Sequence, residues 1–270
     1  MATRRRLDVE LTRRGLVVTR EQARRAIAEG RVLVDGAPTS KAAHQVSPAQ
    51  AVVVQPLGDA WASRGAHKLL AALDAFEVDP AGRQCLDAGA STGGFTDVLL
   101  VRGATHVTSV DVGYGQLAEA LRTDPRVTVM ERTNVRHLEV AQLPNGPVGL
   151  VVADLSFISL RTVLAALTSL VTATSDAIVL VKPQFEVGRN AVGKGGVVRE
   201  PSLWTTAITD VIAAATELGW SPRGAIASPV RGPAGNVEFP VWLHRPADAT
   251  SDVAALVAAA VERGEQVRDA

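Results

Sequence analysis

A glycine-rich turn that follows a short apolar segment constrains the fold of this chain more than any other feature. The apolar segment ends at Cys85–Ala88, the turn spans Gly89–Gly94, and a helical pattern begins at Phe95. A strand, a glycine turn and a helix in this order open the nucleotide-binding half of a doubly wound α/β fold. Glycine is needed there because a Cβ atom would keep the backbone away from a ligand.

The turn favours a cationic ligand over a polyphosphate. It contains neither Gly-x-Gly-x-x-Gly nor Gly-Lys-Ser/Thr, so it lacks the pattern that holds a pyrophosphate or a triphosphate. Asp87 places an acid at the strand end instead, and S-adenosylmethionine offers an amino group and a sulfonium to such an acid. Asp111 follows about 20 residues later, where doubly wound folds bind ribose hydroxyls. A glycine turn used only for tightness is the alternative.

Apolar, β-branched segments that alternate with helical patterns predict a mostly parallel sheet covered by helices on both faces. The predicted strands are Arg83–Asp87, Thr105–Asp111, Val127–Glu131, Val148–Asp154 and Ala177–Pro183. The predicted helices are one that continues to about Phe76, then Ser159–Ala173, Pro201–Leu218 and Ser251 to about Arg263. Asn236–Leu243 is predicted as a late strand. Because no crossover helix follows it, we expect it to be antiparallel at one edge of the sheet.

The basic charge of the chain is concentrated at its N-terminus. The whole chain has 28 basic and 28 acidic residues, but residues 1–31 carry nine Arg and only four acids. We therefore expect the N-terminal segment to bind a polyanion. Only four basic residues of the chain are Lys. Each of them is a candidate for a task that arginine cannot perform, which is to lose a proton.

The N-terminal segment has a recognisable pattern of two short helices followed by strands. Leu7–Gly15 and Thr19–Ala28 have helical spacing, and Thr19 with Gln22 predicts a capping box. Val34-Asp35-Gly36 predicts a strand that ends in a turn, and Arg14-Gly15, Thr19-Arg20 and Lys41 complete a pattern similar to the S4 domain. That resemblance implies a small α+β RNA-binding domain over residues 1–58. Residues 59–64 are expected to form a linker, and residues 65–270 the second domain.

Composition excludes several classes of protein. Cys85 is the only cysteine, so no disulfide forms within the chain, and the five histidines are scattered without the spacing of metal ligands. No segment approaches the ~18 apolar residues of a membrane helix. Asp8 and Glu10 stand where a signal peptide needs an apolar stretch. We expect a cytoplasmic, monomeric protein with no metal and no membrane contact.

Four charged residues lie at or beside the predicted sheet: Lys68, Asp154, Lys182 and Glu238. Charges there are costly unless they are paired, so a structural ion-pair network is one interpretation. Two lysines with two acids also suit methylation of a ribose 2′-hydroxyl, which must lose its proton as it attacks. A lysine can accept that proton if its pKa is lowered, and burial beside a second lysine would do this. The carboxylates would hold the ammonium groups in place.

The combined pattern resembles the FtsJ-like 2′-O-methyltransferases, whose catalytic Lys-Asp-Lys-Glu tetrad matches these four residues. With the S4-like segment and the motifs Ser63–Leu69, Asp111–Leu117, Glu131–Asn134 and Asp154–Leu160, the chain is similar to the TlyA family over nearly its whole length. The resemblance implies a Rossmann-like methyltransferase that uses S-adenosylmethionine to modify cytidine ribose in 16S and 23S ribosomal RNA within ribosomal subunits. Lys182 would be the general base, and Lys68 would place the ribose.

The motifs and the resemblance together predict two sets of binding residues. The cofactor set is Asp87, Gly89, Ala90, Ser91, Thr92, Gly93, Gly94, Phe95, Asp111, Val112, Asn134 and Asp154. The RNA set is Arg4, Arg6, Arg20, Lys41, Arg64, Arg132, Arg136 and Arg189.

Three other functions are compatible with parts of the pattern. Pro183 and Phe185 faintly resemble the Asn-Pro-Pro-Tyr motif of base methyltransferases, but that motif belongs after the fourth strand. A catalytically silent RNA-binding protein would not need the intact glycine turn and tetrad. Members of the TlyA family are also named haemolysins, and a membrane-active protein would need a spanning or strongly amphipathic segment, which the sequence does not indicate.

Overall fold

The chain divides into two compact units, Met1–Ala60 and Trp61–Ala270. The computed structural model describes residues 4–17, 19–28, 30–39, 41–54, 61–248 and 252–269, and of Arg189 it describes the backbone only. Residues 59 and 60 of the predicted linker therefore lie outside the described residues.

The first unit packs a helix pair against short strands. The two helices bury apolar residues such as Leu7, Leu11 and Ile27 against Val32 and Val46. The elements are β1 (Arg5–Arg6), α1 (Leu7–Arg13), α2 (Arg20–Ala28), β2 (Val32–Val34), β3 (Ala37–Pro38), β4 (Gln45–Val46) and β5 (Val52–Val54). Strand β2 pairs antiparallel with both β3 and β5, and β1 pairs with β4.

Two local predictions for this unit are confirmed. The backbone N–H of Gln22 donates to Thr19 Oγ1 at 3.2 Å, and the backbone N–H of Thr19 donates to Gln22 Oε1 at 3.3 Å. This is the capping box before α2. Asp35 and Gly36 have φ of 52° and 82°, the left-handed pair that a two-residue hairpin turn requires.

The second unit is a seven-stranded sheet between two layers of helices. Its strands are β6 (Gln84–Ala88), β7 (His106–Val110), β8 (Val127–Met130), β9 (Val148–Ala153), β10 (Val171–Val181), β11 (Ser221–Ala225) and β12 (Phe239–Arg245). Its helices are α3 (Ala66–Phe76), α4 (Gly94–Val101), α5 (Glu119–Arg122), α6 (Leu164–Ser169), α7 (Pro183–Glu186), α8 (Pro201–Glu217) and α9 (Val253–Asp269).

The strand order is β11-β12-β10-β9-β6-β7-β8. The five strands from β10 to β8 are parallel, so the predicted doubly wound, mostly parallel sheet is confirmed. The late strand is antiparallel to β10, as expected, but its predicted place at the edge is wrong, because β11 pairs with its outer side. Strand β11 was not predicted since Ser221–Ala225 contains Pro222 and Gly224, residues that only an edge strand tolerates easily.

Two helix boundaries also differ from prediction. The helix predicted over Ser159–Ala173 is a 3-10 turn, Leu160–Thr162, followed by α6, and the chain enters β10 already at Val171. Val171 lies opposite Val148 in the sheet, so strand pairing overrides the helical spacing of the preceding residues. The last helix extends to Asp269, beyond the predicted end near Arg263.

Alternate residues of the strands supply two separate cores. Leu150 and Val152 of β9 pack on the face covered by α3 and α4, whereas Val151 and Ala153 pack on the face covered by α8 and α9. Both faces are therefore apolar, as a covered parallel sheet requires. Within the described ranges, no helix is both long enough and apolar enough to cross a bilayer.

Gly264 lets α9 approach the sheet. A Cβ atom at this position would lie 2.9 Å from Phe239 Cε1 and 3.3 Å from Trp204 Cζ3, and both rings are buried. Alanine improves helix propensity by about 1 kcal/mol, but overpacking a rigid core costs about 1–3 kcal/mol. We therefore expect Gly264→Ala to lower the melting temperature by about 2–4 °C, measured by circular dichroism. The exposed Glu262→Ala is the control, and an unchanged or higher melting temperature in Gly264→Ala would contradict this packing.

Candidate active site

The candidate site lies where the order of the strands reverses. Strand β6 has β7 on one side and β9 on the other, and doubly wound sheets bind ligands at the carboxyl ends of such strands. Gly89 follows β6 with φ of 88°. A Cβ atom there would lie 2.6 Å from the carbonyl oxygen of Asp154, which follows β9. Glycine is thus required both by the backbone conformation and by the approach of the two strand ends.

A cavity of about 430 Å³ opens at this position, a size typical of small-molecule sites. Its wall combines apolar side chains with a few polar groups. The lining residues are Gly89, Ser91, Val110, Asp111, Val112, Gln116, Thr133, Asn134, Val135, Asp154, Leu155, Ser156, Phe157, Ile158 and Val163.

Asp111 is held in a fixed position at the cavity wall. Its carboxylate oxygens accept hydrogen bonds from the backbone N–H groups of Ser91 at 2.8 Å and Gly113 at 2.6 Å. Each oxygen keeps acceptor capacity for a ligand hydroxyl. With the apolar wall around Val112 and Val135, this acid fits a nucleoside such as that of S-adenosylmethionine. Across the described part of the chain, no group of three or more His, Cys, Asp or Glu side chains is placed to hold a metal ion.

Half of the predicted cofactor set lines the cavity. Those six residues are Gly89, Ser91, Asp111, Val112, Asn134 and Asp154. The six that do not line it are Asp87, Ala90, Thr92, Gly93, Gly94 and Phe95. Two of them have evident packing roles, because a Cβ atom at Gly93 would collide with Leu117 and Leu121, and one at Gly94 with Ser63. Their part in cofactor binding stays a prediction.

Asp87 is a buried carboxyl rather than an open anionic strand end. Its side chain turns toward α4, where Thr96 Oγ1 donates to one oxygen at 2.7 Å, and its other oxygen has no partner among the described residues. Burial is the main cause that raises the pKa of Asp87 to about 7; Asp154 and Asp111 add to it, and the hydrogen bonds from Thr96 oppose it.

The four predicted catalytic side chains meet at the carboxyl edge of the sheet. Lys68 Nζ lies 2.5 Å from Glu238 Oε2 and 3.4 Å from Asp154 Oδ2. Lys182 Nζ lies 2.5 Å from Asp154 Oδ1. The charges therefore alternate along one chain of contacts, Glu238–Lys68–Asp154–Lys182, which we call the tetrad.

Strand directions explain why these distant residues converge. Asp154 and Lys182 follow the carboxyl ends of β9 and β10, which are parallel. Strand β12 is antiparallel to β10, with Phe239 opposite Val181. Its amino end therefore lies at the same edge, and Glu238 immediately precedes it. Lys68 comes from the first turn of α3.

The members of the tetrad differ in their exposure to solvent. Lys68, Lys182 and Glu238 are at most 8% exposed, whereas the Asp154 side chain is 19% exposed and lines the cavity. Burial lowers the pKa of Lys68, but Asp154 and Glu238 together outweigh it, so the pKa of Lys68 lies above its ordinary value. Lys68 is therefore an ammonium group at neutral pH.

Three residues near the tetrad, Ser156, Phe157 and Phe185, were not predicted from the sequence as site residues. Lys182 Nζ donates to Ser156 Oγ at 2.9 Å. Phe157 is 92% exposed with a φ of 65°, and its ring centroid lies 5.4 Å from that of Phe185. An aromatic residue directly after Asp-Leu-Ser, where a loop should be polar, was the available signal.

Glu186 fixes the loop that carries these neighbours. It is buried at the end of α7, and it accepts hydrogen bonds from Ser159 Oγ at 2.6 Å and from the backbone N–H of Leu160 at 2.8 Å. The segment after β9 is thereby tied to the segment after β10. Phe157 and Phe185 lie on the two segments that this carboxylate joins.

The predicted RNA-binding residues are spread over both units. Arg6, Arg20 and Lys41 are exposed on the first unit, as is Arg4. In the second unit Arg64, Arg132 and Arg136 are exposed, and the Arg132 guanidinium lies 4.1 Å from the ring centroid of Tyr114. The side chain of Arg189 lies outside the described residues. RNA contacts by this set stay a prediction.

Known proteins match both units of the chain. A family model for FtsJ-like methyltransferases matches residues 61–245, and one for the S4 domain matches residues 5–52. The 16S/23S rRNA (cytidine-2'-O)-methyltransferase TlyA of Mycobacterium tuberculosis is 56% identical over 92% of this chain and 92% of that protein. A solved structure from Streptococcus thermophilus, named as a hemolysin, is 35% identical with a TM-score of 0.76 and covers 100% of both chains. A Listeria monocytogenes methyltransferase structure, 14% identical over 68% of this chain and 99% of that one with a TM-score of 0.51, shares the fold.

The raised pKa of Asp87 predicts a pH-dependent stability. The folded carboxyl keeps its proton up to about pH 7, whereas the unfolded one loses it near pH 3.9. The stabilisation is therefore complete below about pH 4 and is lost as pH rises through about 7. The amide of Asp87→Asn is neutral at every pH, so the variant does not lose this stabilisation as pH rises. The melting temperature of the variant should thus exceed that of the wild type increasingly between pH 4 and 7, and by a constant amount above.

Thermal melting across this range, without added cofactor, checks the expectation. A shift from 3.8 to about 7 corresponds to roughly 4 kcal/mol at its full extent. The exposed Asp74→Asn serves as the control. A melting difference that does not change with pH would show that Asp87 is ionised in the folded protein.

Proposed function

We propose that this chain, which belongs to the TlyA family of FtsJ-like methyltransferases, transfers a methyl group from S-adenosylmethionine to the 2′-hydroxyl of cytidine in 16S and 23S ribosomal RNA. The M. tuberculosis relative that carries this activity in its name supports the reaction and the substrate. The observation that carries the proposal is the tetrad, because it joins a buried lysine to an acid that lines a nucleoside-sized cavity.

The residues that line the cavity would bind S-adenosylmethionine. Asp111 would accept the ribose hydroxyls, the wall around Val112 and Val135 would cover the adenine, and Asp154 would face the cationic part. When bound, S-adenosylmethionine supplies an electrophilic methyl group on its sulfonium. The residues of the chain contribute position, since an in-line transfer depends on how the reacting groups are held.

Lys182 is the proton acceptor in this proposal. Lys182 must first release a proton to solvent, so that its Nζ is a neutral amine; as the 2′-hydroxyl then attacks the methyl group, its proton passes to Nζ, which lies beside Asp154 and Ser156 of the cavity wall. Lys68 suits this task less well because its raised pKa keeps it protonated. It would instead place the ribose as a cation while Glu238 and Asp154 hold it. Removal of a general base typically costs 10²–10⁴ in rate, which is about 3–5 kcal/mol.

RNA would be bound by both units. The basic face of the first unit would hold backbone phosphates, and the rim arginines of the second unit would add contacts near the cavity. The exposed Phe157 against Phe185 suits stacking with an unpaired nucleobase. We propose domain limits of 1–58 and 65–270 with a linker at 59–64, of which residues 61–64 lie within the compact second unit. An rRNA substrate supports action in the cytoplasm, and the monomeric state and the assembled subunit as substrate stay predictions.

The site favours this function over the alternatives. The residues after β9 are Asp154–Phe157 rather than the Asn-Pro-Pro-Tyr motif of base methylation. The tetrad is fully assembled, which a catalytically silent RNA-binding protein would not need. No observation on the cavity or the tetrad favours a membrane-active function.

Asp111 is expected to determine cofactor affinity. Asp111→Asn keeps the shape and can still accept one backbone hydrogen bond, but it loses a charged acceptor for the ribose. Affinity for S-adenosylmethionine should fall about 10- to 100-fold, measured by isothermal titration calorimetry. Asp124→Asn, away from the cavity lining, is the control. Absence of S-adenosylmethionine binding by the wild type, or a preference for NAD, would refute the cofactor assignment.

Lys182→Arg is the direct test of the general base. The guanidinium keeps the positive charge beside Asp154, but it cannot deprotonate. Single-turnover methylation of purified ribosomal subunits should fall about 10²- to 10⁴-fold, while affinities for S-adenosylmethionine and RNA stay close to those of the wild type.

The exposed Lys194→Arg is the matched control and should retain its rate. If Lys182→Arg turned over at a near wild-type rate with its fold and affinities intact, Lys182 would be an orienting charge and the base would lie elsewhere.

A further inference from the structure

We propose that Asp8 is a positioning residue for RNA binding, whose buried carboxylate assembles Arg6, Arg20 and Arg24 into one phosphate-binding face. We call these three arginines the Asp8 arginine face. The inference rests on the proposed function, since it takes ribosomal RNA as the polyanion. It also adds Arg24 to the residues that contact RNA.

One carboxylate holds all three guanidinium groups. Arg6 donates to Asp8 through Nε at 3.0 Å and through Nη2 at 3.3 Å, so its contact is bidentate. Arg20 Nη2 donates to Asp8 Oδ2 at 3.0 Å, and Arg24 Nε lies 3.5 Å from the same oxygen. The three arginines come from β1 and from two positions one turn apart on α2. The face therefore forms only when these elements pack together.

Burial differs sharply between the carboxylate and its partners. The Asp8 side chain is 0% exposed, whereas the side chains of Arg6, Arg20 and Arg24 are 44%, 53% and 61% exposed. The hydrogen bond from Arg6 is the main cause that lowers the pKa of Asp8, against the opposing effect of burial. The carboxylate is thus charged and concealed, and what the surface presents is the three cations.

The arginines keep free capacity for an anion. A guanidinium has five N–H donors, and Asp8 engages two on Arg6 and one on Arg20. Three positive charges around one negative charge leave a local net charge of +2. The carboxylate reduces the mutual repulsion of the guanidinium groups, so they are already ordered before a phosphate arrives, and such preorganisation improves affinity.

Glu10, two residues away, uses the same chemistry for a different purpose. It is buried and pairs with Arg13 and Arg14, and Arg5 Nε lies 4.0 Å from its Oε2. Arg14 is only 19% exposed and donates to the carbonyl oxygens of Ser47 and Gln50. The Glu10 group therefore ties α1 to the turn before β5. Arg5 and Arg13 are about half exposed, so of these two groups the Asp8 group differs in having no arginine turned inward.

A positioning role for Asp8 and a simple count of charges predict opposite effects of Asp8→Asn on RNA affinity. Asp8→Asn removes a negative charge, so a charge count alone predicts tighter binding to a polyanion. Loss of preorganisation predicts weaker binding. In the full chain with S-adenosylmethionine, Asp8→Asn should raise the Kd for ribosomal subunits about 5- to 20-fold and raise KM by a similar factor. Both kcat and cofactor affinity should be unchanged.

Glu21→Gln is the matched control, because Glu21 is an exposed acid at the start of α2. It makes the same charge change without touching the Asp8 arginine face, and its Kd should equal that of the wild type or be slightly tighter. Binding by Asp8→Asn that is as tight as, or tighter than, that of the wild type would overturn the inference.

A second pair of variants covers the case in which Asp8→Asn fails to fold. Arg24→Gln and Arg25→Gln remove the same charge from neighbouring positions of α2. Arg24→Gln should bind more weakly than Arg25→Gln and should reduce the salt slope of binding by about one. Equal affinities would overturn the inference. Where Asp8→Asn folds, its effect should also be non-additive with that of Arg24→Gln, and strict additivity would count against positioning.

The triple variant Arg6→Gln, Arg20→Gln, Arg24→Gln distinguishes RNA docking by the first unit from the positioning role of Asp8. If it binds ribosomal subunits with unchanged affinity and salt slope, the first unit does not dock RNA as proposed, and the inference fails with it. If the triple variant binds weakly while Asp8→Asn binds normally, the proposed docking stands and the positioning role of Asp8 is refuted.

Discussion

The position of Asp154 between two lysine side chains is the interaction on which the rest of the second unit depends. Burying a lysine or a carboxylate alone costs several kcal/mol, and four such groups lie at this edge of the sheet. Acidic and basic side chains alternate along the tetrad, and each lysine has an acid 2.5 Å away, which offsets part of that cost. Taking away any one member leaves a buried charge without compensation. The tetrad therefore joins α3, β9, β10 and the entry to β12 as well as forming the candidate active site.

The loops around the tetrad are held in place by a glycine and by two buried polar side chains. Gly232 belongs to the loop before β12, and a Cβ atom there would lie 2.5 Å from Glu238 Oε1. Asn236 is buried and links this loop to Gly196 and Val198 through its side-chain amide. Glu186 performs a comparable task for the loop after β9. Two buried polar side chains outside the tetrad thus keep its loops in register, which is how a site with narrow geometric tolerance is supported.

The sequence was most informative where one residue type had few alternatives. The parallel strands could be predicted from their apolar, β-branched segments, and the turn from its glycines. The four members of the tetrad could be predicted because a charged residue beside an apolar strand must be paired or functional. Strand β11 could not, since Pro222 and Gly224 conceal an edge strand whose pairing is set by its neighbour β12. Ser156 and Glu186 were missed because a serine or an acid in a loop has no local signature, and their importance arises from partners at least 26 residues away. Asp87 was found at the right strand end, but which way its side chain turns depends on α4.

The contact between Gly89 and the carbonyl of Asp154 has an evolutionary consequence. The glycine belongs to the turn that borders the cavity proposed for the cofactor, and the carbonyl belongs to the acid at the centre of the tetrad. Any side chain at position 89 would displace both at once. Under the proposed function, selection on cofactor affinity and selection on turnover act on one shared backbone contact, so a lineage cannot adjust one of these properties at position 89 while leaving the other unaltered.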